Sequence, residues 1–531
     1  MKPKKKELWY NKVNWLYVIL GIYIIIYLTH LLIRYHFVLW DEAVYVGIGK
    51  YIFSSGNIGL WEDIRPLGLS VLLGLAWKLK LNPIIAGRFI ELMFSIGSIF
   101  LVFKISELIF RTDSNKNTIA ILSTIIYAIT PLFFYNSLRL MTGIPSTFFV
   151  LSAVYVFLKR RYMLAGLFSS LAFIFRYPNG LIVVCILSAI FIEYLLKEKD
   201  KTTLKQIANT SFQYIIGLLP LIITLFIFNY FRYKSILYPL LKASTHGGNL
   251  VHAVQDILLN IFYYLFNLFI QNHLLIFSLL GLYLSFRYIK KNNKTTIICV
   301  SLIIYLVYFT YTTNKQPRFA LSFLPFAAIL AGYGLYKLFR WFNSIKINSK
   351  SIQLKKSYNN NNNNSKWLRT LPIILLVMFT LYSVSLSLNK DYFKFNSFPS
   401  EKPAIVDEYY RFFDNYKKNI ILTADPVHIA YSDIKMIPYY YSVEEAMPIL
   451  NTWLDTPELR QQVKAIVFIH GPFVCFDTVC EEQLRPALFE KIKGNTEYKD
   501  MYNYDDNNNN NNNELVFKKE YEEVKSIYYV N

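Results

Sequence analysis

Over roughly the first 390 residues, apolar positions run in blocks of membrane length and polar positions are confined to the gaps between them. About 20 consecutive apolar residues cross a bilayer as a helix. The pattern predicts eleven such spans, at roughly 13–33, 84–109, 117–135, 142–158, 162–176, 178–196, 209–231, 273–289, 295–313, 317–340 and 368–388. Residues 257–271 are apolar and aromatic and run almost directly into the eighth span, so they are expected to form a helix packed on the bundle or lying in the interface. The segment 34–83 is too long for a simple connection. It reads as two short helices, about 41–54 and 66–80, joined at Ser54-Ser55-Gly56-Asn57.

From about residue 392 the pattern changes. Acidic residues return, and short β-like runs at Asn419–Thr423, Met436–Ser442 and Ala465–His470 alternate with helical stretches. That alternation predicts a small α/β domain. The expected organisation is therefore a transmembrane domain over 1–390, with 34–83 as an external loop and 341–367 as a cytoplasmic loop, followed by an extracytoplasmic domain over 391–531. Poly-Asn runs at 359–364 and 507–513 read as inert insertions.

Composition agrees with the pattern, since 54% of the 531 residues are hydrophobic and 17% aromatic. The net charge of +21 raises nucleic acid as a partner. Its distribution excludes that reading, because the basic residues sit in short runs between apolar spans and form no stripe on a soluble domain. They set the topology instead. The N-terminal lysines, Arg111/Lys116, Lys159-Arg160-Arg161, Lys197–Lys205, Arg287–Lys294 and the Arg340–Arg369 loop all fall on one side, which the positive-inside rule makes cytoplasmic. The first span lacks a small-residue cleavage site and reads as a retained helix. Three sequons, at Asn209, Asn293 and Asn363, fall on the same cytoplasmic side. The segments 34–83, 136–142, 176–180, 232–256 and 314–318, and everything after about 389, are then external. Cys185 and Cys299 lie inside apolar spans as small core residues. Cys475 and Cys480 suit a disulfide if their region faces an oxidising compartment.

Only twelve acidic residues occur in the first 390, and two of them, Asp41 and Glu42, stand together just after the first span. Carboxylates at a membrane boundary are costly, and catalysis is one reason to keep them. The plain alternative is a helix start, where acids favour the positive end of the dipole. Trp61-Glu62-Asp63-Ile64-Arg65-Pro66 in the same loop adds two acids and an arginine, for which a loop salt bridge is the plain alternative. Arg65, Arg88, Arg139, Arg176 and Arg318, with Lys315, lie at the external ends of different spans. Singly they suit snorkelling to headgroups, or, for Arg88, pairing with Glu91. Together they suit a phosphate, which guanidinium matches in shape and charge. Gly47-Ile48-Gly49-Lys50 lacks the spacing of a nucleotide loop. His246-Gly247-Gly248 suggests a mobile lid in the loop 232–256. No Asp-x-Asp occurs in the external loops, so a metal–diphosphate site has no sequence support there; the expected set of cofactors is none.

On these residues the chain resembles the GT-C superfamily of polyprenyl-phosphate-sugar glycosyltransferases, and within it the protein O-mannosyltransferase and lipid A aminoarabinose-transferase group. The likeness covers about residues 13–340. It rests on Asp41-Glu42-Ala43-Val44-Tyr45, Arg65-Pro66-Leu67, Arg176-Tyr177-Pro178-Asn179-Gly180 and Lys315-Gln316-Pro317-Arg318-Phe319. Two departures stand out. Gly143 occupies a place where many relatives carry an acid, and the Trp-Trp-Asp-Tyr-Gly signature of oligosaccharyltransferase subunits is absent.

The resemblance implies an inverting transferase that moves a monosaccharide from a polyprenyl-phosphate donor to a hydroxyl of a glycan, lipid or protein acceptor, with membrane lipids around it. Asp41 is then the base and Glu42 its neighbour. Arg65, Arg176, Arg318, Lys315 and Arg139 are the donor-phosphate candidates. Glu62, Asp63, Tyr45 and His246 are the acceptor- or sugar-binding candidates. The alternative is a polytopic transporter or lipid flippase, which would place ionisable residues near the bilayer midplane and show repeated halves. Neither feature is visible in the sequence.

Overall fold

The structure, a computed structural model, describes residues 14–196, 201–249, 257–289, 293–312, 315–355, 364–387, 399–415, 420–440, 442–469, 479–494, 496–499 and 525–530. The chain divides into two compact units, one of residues 1–36 and 88–400, the other of 37–87 and 401–531. The segment 37–87, grouped with the membrane helices on sequence pattern, thus clusters with the C-terminal residues.

The first unit is helical. Its first helix, α1 (Trp15–Ile33), precedes the loop that carries α2 (Trp40–Phe53) and α3 (Gly68–Lys78), and the chain re-enters this unit in α4 (Pro83–Ile109). Each of the eleven predicted stretches contains a helix. Among the described residues five helices are long and apolar enough to cross a membrane, and six if the bent pair Lys116–Ala128 and Pro131–Ser137 is one span. Several shorter apolar helices accompany them, so the chain is a multi-pass membrane protein.

The 61° bend of that pair has a specific cause. Pro131 carries no N–H and cannot continue the preceding helix. The Ile126 carbonyl at the break accepts from the Thr130 hydroxyl at 2.7 Å and from Asn272 Nδ2 at 3.0 Å. A polar group inside a bilayer needs such internal partners. Hydroxyls also tie the helices together. Tyr27 donates to the carbonyls of Arg88 (2.8 Å) and Ser137 (3.0 Å), and Tyr23 to Ser137 Oγ (2.8 Å). Glycine permits the closest crossing, since a Cβ on Gly217 would lie 1.8 Å from the Met163 carbonyl oxygen.

Two loops differ from expectation. Residues 238–249 form a helix where a mobile external loop was expected, and His246 lies on it. The helix beginning at Leu324 continues to Lys355, well into the expected loop 341–367. The poly-Asn run 507–513 and all but the last residue of 359–364 lie outside the described residues.

The second unit contains a five-stranded sheet in the order β2-β1-β3-β5-β4. β1 (Ile420–Thr423) runs parallel to β2 (Lys435–Pro438) and β3 (Val463–Ile469), and β5 (Lys525–Val530) runs antiparallel to β3 and β4 (Thr496–Lys499). The first three strands were predicted and the last two were not. β2 ends at Pro438, which has no N–H for the ladder. Ser442 opens the next helix, Val443–Asp455, by accepting from the Glu445 amide at 3.2 Å, and Glu444 and Glu445 occupy its first turn. The apolar core of this domain includes Leu422, Leu450, Ile466 and Leu488, and Trp40 from the start of α2 packs against it.

Candidate active site

Asp41 and Glu42 occupy the first turn of α2, where the unpaired amides favour negative charge. Their environments differ. The Asp41 side chain is 20% exposed, whereas Glu42 is buried at 1%. Arg65 joins Asp41 to a third carboxylate. Its Nη2 lies 2.9 Å from Asp41 Oδ1 and its Nε 2.7 Å from Glu62 Oε1. The loop salt bridge considered from sequence therefore exists, and it includes the leading catalytic candidate. Arg65 also lies over the ring of buried Tyr45, 5.7 Å from its centroid. Tyr440 donates its hydroxyl to Glu62 Oε2 at 2.9 Å. Asp63 points elsewhere and accepts from Trp61 Nε1 at 2.9 Å.

Local packing explains why the loop holds this shape. Gly59 has φ +100°, and its backbone bridges to Lys435 at the edge of the sheet. Its amide donates to the Ile434 carbonyl (2.8 Å), and its carbonyl accepts from Met436 (2.9 Å). A Cβ on Gly59 would lie 2.3 Å from the Gly47 carbonyl oxygen, and one on Gly49 would lie 2.4 Å from the Ser70 carbonyl oxygen. The discarded nucleotide-loop fragment is thus a close-packing face of α2 against its own loop and α3. Lys50, in the same fragment, is buried and pairs with Asp433 at 2.9 Å. Its ammonium also donates to the carbonyls of Ile429 (2.8 Å) and Ser432 (3.1 Å). Burial pushes its pKa down, and Asp433 opposes that shift.

Sequence reasoning missed Lys50, Asp433 and Tyr440. A lysine inside an otherwise apolar helical run was a usable signal for the first. Asp433 and Tyr440 lie more than 370 residues from their partners and carry no local signal.

The remaining cationic candidates lie in the first unit and form two groups. Arg139 donates to the Tyr135 hydroxyl and lies 4.8 Å from that ring's centroid. Arg88 is buried and donates to the Leu138 carbonyl. His36 is near both; burial first, and the Arg88 charge second, hold its pKa down at about 3. Arg176 and Lys315 form the other group. Arg176 lies 5.0 Å over Phe319 and acts electrostatically on Tyr264, and Lys315 lies 5.8 Å over the Tyr264 ring. Lys315 donates to the Phe309 carbonyl at 2.7 Å, and burial lowers its pKa. Arg318 donates to Gln316 Oε1. A Cβ on Gly143 would lie 3.4 Å from Arg176 Nη1. The position marked as lacking an acid is thus next to this guanidinium. The His246 side chain lies outside what the structure describes. Among the described residues no group of three or more His, Cys, Asp or Glu is placed to hold a metal ion. Cys185 and Cys299 are buried and free, while Cys480 is disulfide-bonded.

The fold is one that solved structures share. The oligosaccharyltransferase AglB from Archaeoglobus fulgidus, solved with an inhibitory peptide and a dolichol-phosphate, matches with a TM-score of 0.58 at 14% identity, over 92% of this chain and 73% of that one. ArnT from Cupriavidus metallidurans, solved with undecaprenyl phosphate, matches with a TM-score of 0.59 at 13% identity, over 86% of this chain and 92% of that one. These likenesses show a shared fold. No curated protein matches the chain in a sequence comparison.

Residues 26–336, more than half of the chain, match the DIE2/ALG10 family. The chain belongs to that family of GT-C glycosyltransferases and is a membrane glycosyltransferase. The transporter or flippase alternative is not favoured.

Proposed function

We propose that the protein transfers a monosaccharide from a polyprenyl-phosphate donor to an acceptor hydroxyl on the extracytoplasmic face, with inversion at the anomeric carbon. The observation that carries this reading is Asp41 itself, partly exposed at a helix start and held by Arg65. Asp41 takes the proton from the acceptor hydroxyl as that oxygen attacks the anomeric carbon. The bond from the anomeric carbon to the phosphate oxygen breaks, and its electron pair leaves with the lipid phosphate. A phosphate leaving group is a weak base and needs charge stabilisation more than a proton. Arg176 and Lys315, with Arg318 and Arg139, supply that charge.

The ion pairs of Arg65 with Asp41 and Glu62 support a different role for it from the phosphate binding expected on sequence: it holds the base. The burial of Glu42 supports a role in shaping the loop beside the base. Tyr45 backs Arg65, and Glu62, Asp63 and His246 stay the acceptor- or sugar-binding candidates. Eleven spans put the N-terminus in the cytoplasm and the C-terminal domain outside, and the disulfide at Cys480 supports an oxidising side for that domain.

The test uses the full chain in lipid nanodiscs with dolichyl-phosphate glucose and dolichyl-phosphate mannose, tried separately. Dolichyl phosphate release is measured, with alkyl hexosides as acceptors. Asp41→Asn should abolish release while leaving the melting temperature in place. Turnover in that variant would remove Asp41 from the role of base, and retained anomeric configuration in the product would remove the single-displacement mechanism.

A further inference from the structure

Tyr440 touches the Asp41 segment in two ways. Its hydroxyl donates to Glu62 Oε2 at 2.9 Å, and its ring meets that of Trp40, the residue before Asp41, edge-on at 4.8 Å and 69°. Tyr440 is itself buried and firmly held. The neighbouring Tyr439 amide donates to the Thr423 carbonyl at 3.1 Å, and the Tyr439 hydroxyl donates to the Val467 carbonyl at 2.7 Å. These bonds anchor the segment after β2 to β1 and β3. Glu62 is buried at 5%, so its two oxygens draw strongly on the donors around them. One is met by Tyr440 and the other by Arg65, whose second nitrogen reaches Asp41.

We propose that Tyr440 is a positioning residue for Asp41: its hydroxyl orients Glu62, Glu62 orients Arg65, and Arg65 orients the Asp41 carboxylate. The C-terminal domain thereby completes the geometry of the base. The inference rests on the reading of Asp41 as the base. It gives the domain a part in the reaction.

The direction of each perturbation follows from the chain of bonds. Without the Tyr440 hydroxyl, Glu62 leans harder on Arg65, the Arg65–Asp41 contact loosens, and Asp41 holds its proton to a higher pH. Without the Glu62 charge, Arg65 serves Asp41 alone, and Asp41 loses its proton at a lower pH. The other charged or titratable groups nearby are Glu42 in the same turn of α2, Tyr45 under Arg65, and Asp63, which is bonded to Trp61. Further along α2 lies the Lys50–Asp433 pair, and His428 lies in the short helix that packs on α2. None of these is altered in the variants.

The experiment reads Asp41 directly. The full chain in nanodiscs is treated with a water-soluble carbodiimide, which modifies protonated carboxyls, and labelling of the Asp41 peptide is followed by mass spectrometry against pH. Tyr440→Phe keeps the ring contact with Trp40 and removes only the hydroxyl. Its midpoint should move to higher pH, with labelling at a fixed pH above the midpoint raised about threefold to tenfold. Glu62→Gln should move the midpoint the other way. Tyr440→Leu, which also removes the ring, should match Tyr440→Phe in direction. If Tyr440→Phe lowers the melting temperature but leaves the midpoint unchanged, Tyr440 is structural only and the proposal is wrong. Shifts of the same sign in Tyr440→Phe and Glu62→Gln would also overturn it. Turnover in Asp41→Asn is a separate outcome; it removes the base and leaves the labelling result to stand or fall alone.

Discussion

Lys50→Met is the sharpest test of how the loop is held. The substitution keeps the length and apolar stem of the side chain and removes its charge. Two hydrogen bonds vanish, to the Ile429 carbonyl at 2.8 Å and the Ser432 carbonyl at 3.1 Å, together with the ion pair to Asp433. A hydrogen bond from a charged donor contributes about 1.5–3 kcal/mol. The Asp433 side chain is 52% exposed, so solvent screens its ion pair, which adds about 0–1 kcal/mol. Against these losses, methionine avoids the cost of burying an ammonium, a cost visible in the lowered pKa of Lys50. The net loss should be about 3 kcal/mol, concentrated where α2 meets residues 429–436. Amide hydrogen exchange on the full chain reads it locally, through the Gly59 and Met436 amides that join loop to sheet. Their protection should fall about a hundredfold, since 1.36 kcal/mol is tenfold. Asp433→Asn should cost much less, because its carboxylate end is half in solvent. Unchanged protection in Lys50→Met would show that glycine packing alone seats the loop and would refute this account.

Three further outcomes are expected. Gly59→Ala should destabilise the protein by about 2 kcal/mol or more in thermal unfolding, since φ +100° suits glycine and the new Cβ would meet backbone at 2.3 Å. Arg176→Lys should raise KM for dolichyl-phosphate hexose about tenfold with a smaller change in kcat, because an ammonium cannot match the planar fork of guanidinium on phosphate. His36 is neutral in the fold, with its pKa lowered from 6.5 to about 3. The unfolded chain binds that proton first, so stability should fall as pH drops from about 6.5 towards 3, and His36→Gln should flatten that slope in melting curves against pH.

The helices of the first unit were legible because a bilayer demands a physical signature: each span hides its own backbone polar groups and shows lipid an apolar side. The edges of α2 and α3 were readable within about two residues for a related reason, since Ser54-Ser55-Gly56 and Pro66 punctuate the chain. β4 and β5 were not readable. They are short, flank the poly-Asn run 507–513, and are defined by pairing partners rather than by their own composition.

The residue types of the site were likewise present in the sequence, as acids and an arginine grouped within residues 34–83. Their partnerships were not. Arg65 read as a phosphate ligand because composition shows only that a cation is present; which anion it meets is a matter of position, and here it meets Asp41 and Glu62. Tyr440 and Asp433 read as nothing, since hydrogen bonds across more than 370 residues leave no trace in local pattern. By itself the sequence determined a membrane-spanning helical protein with catalytic-type carboxylates near a boundary, because hydrophobicity and charge act through each residue's own solvation. Only the tertiary structure decided that Asp41 and Glu62 share Arg65 and that Glu62 takes a hydrogen bond from Tyr440 of the C-terminal residues, because contacts between distant segments are fixed by packing.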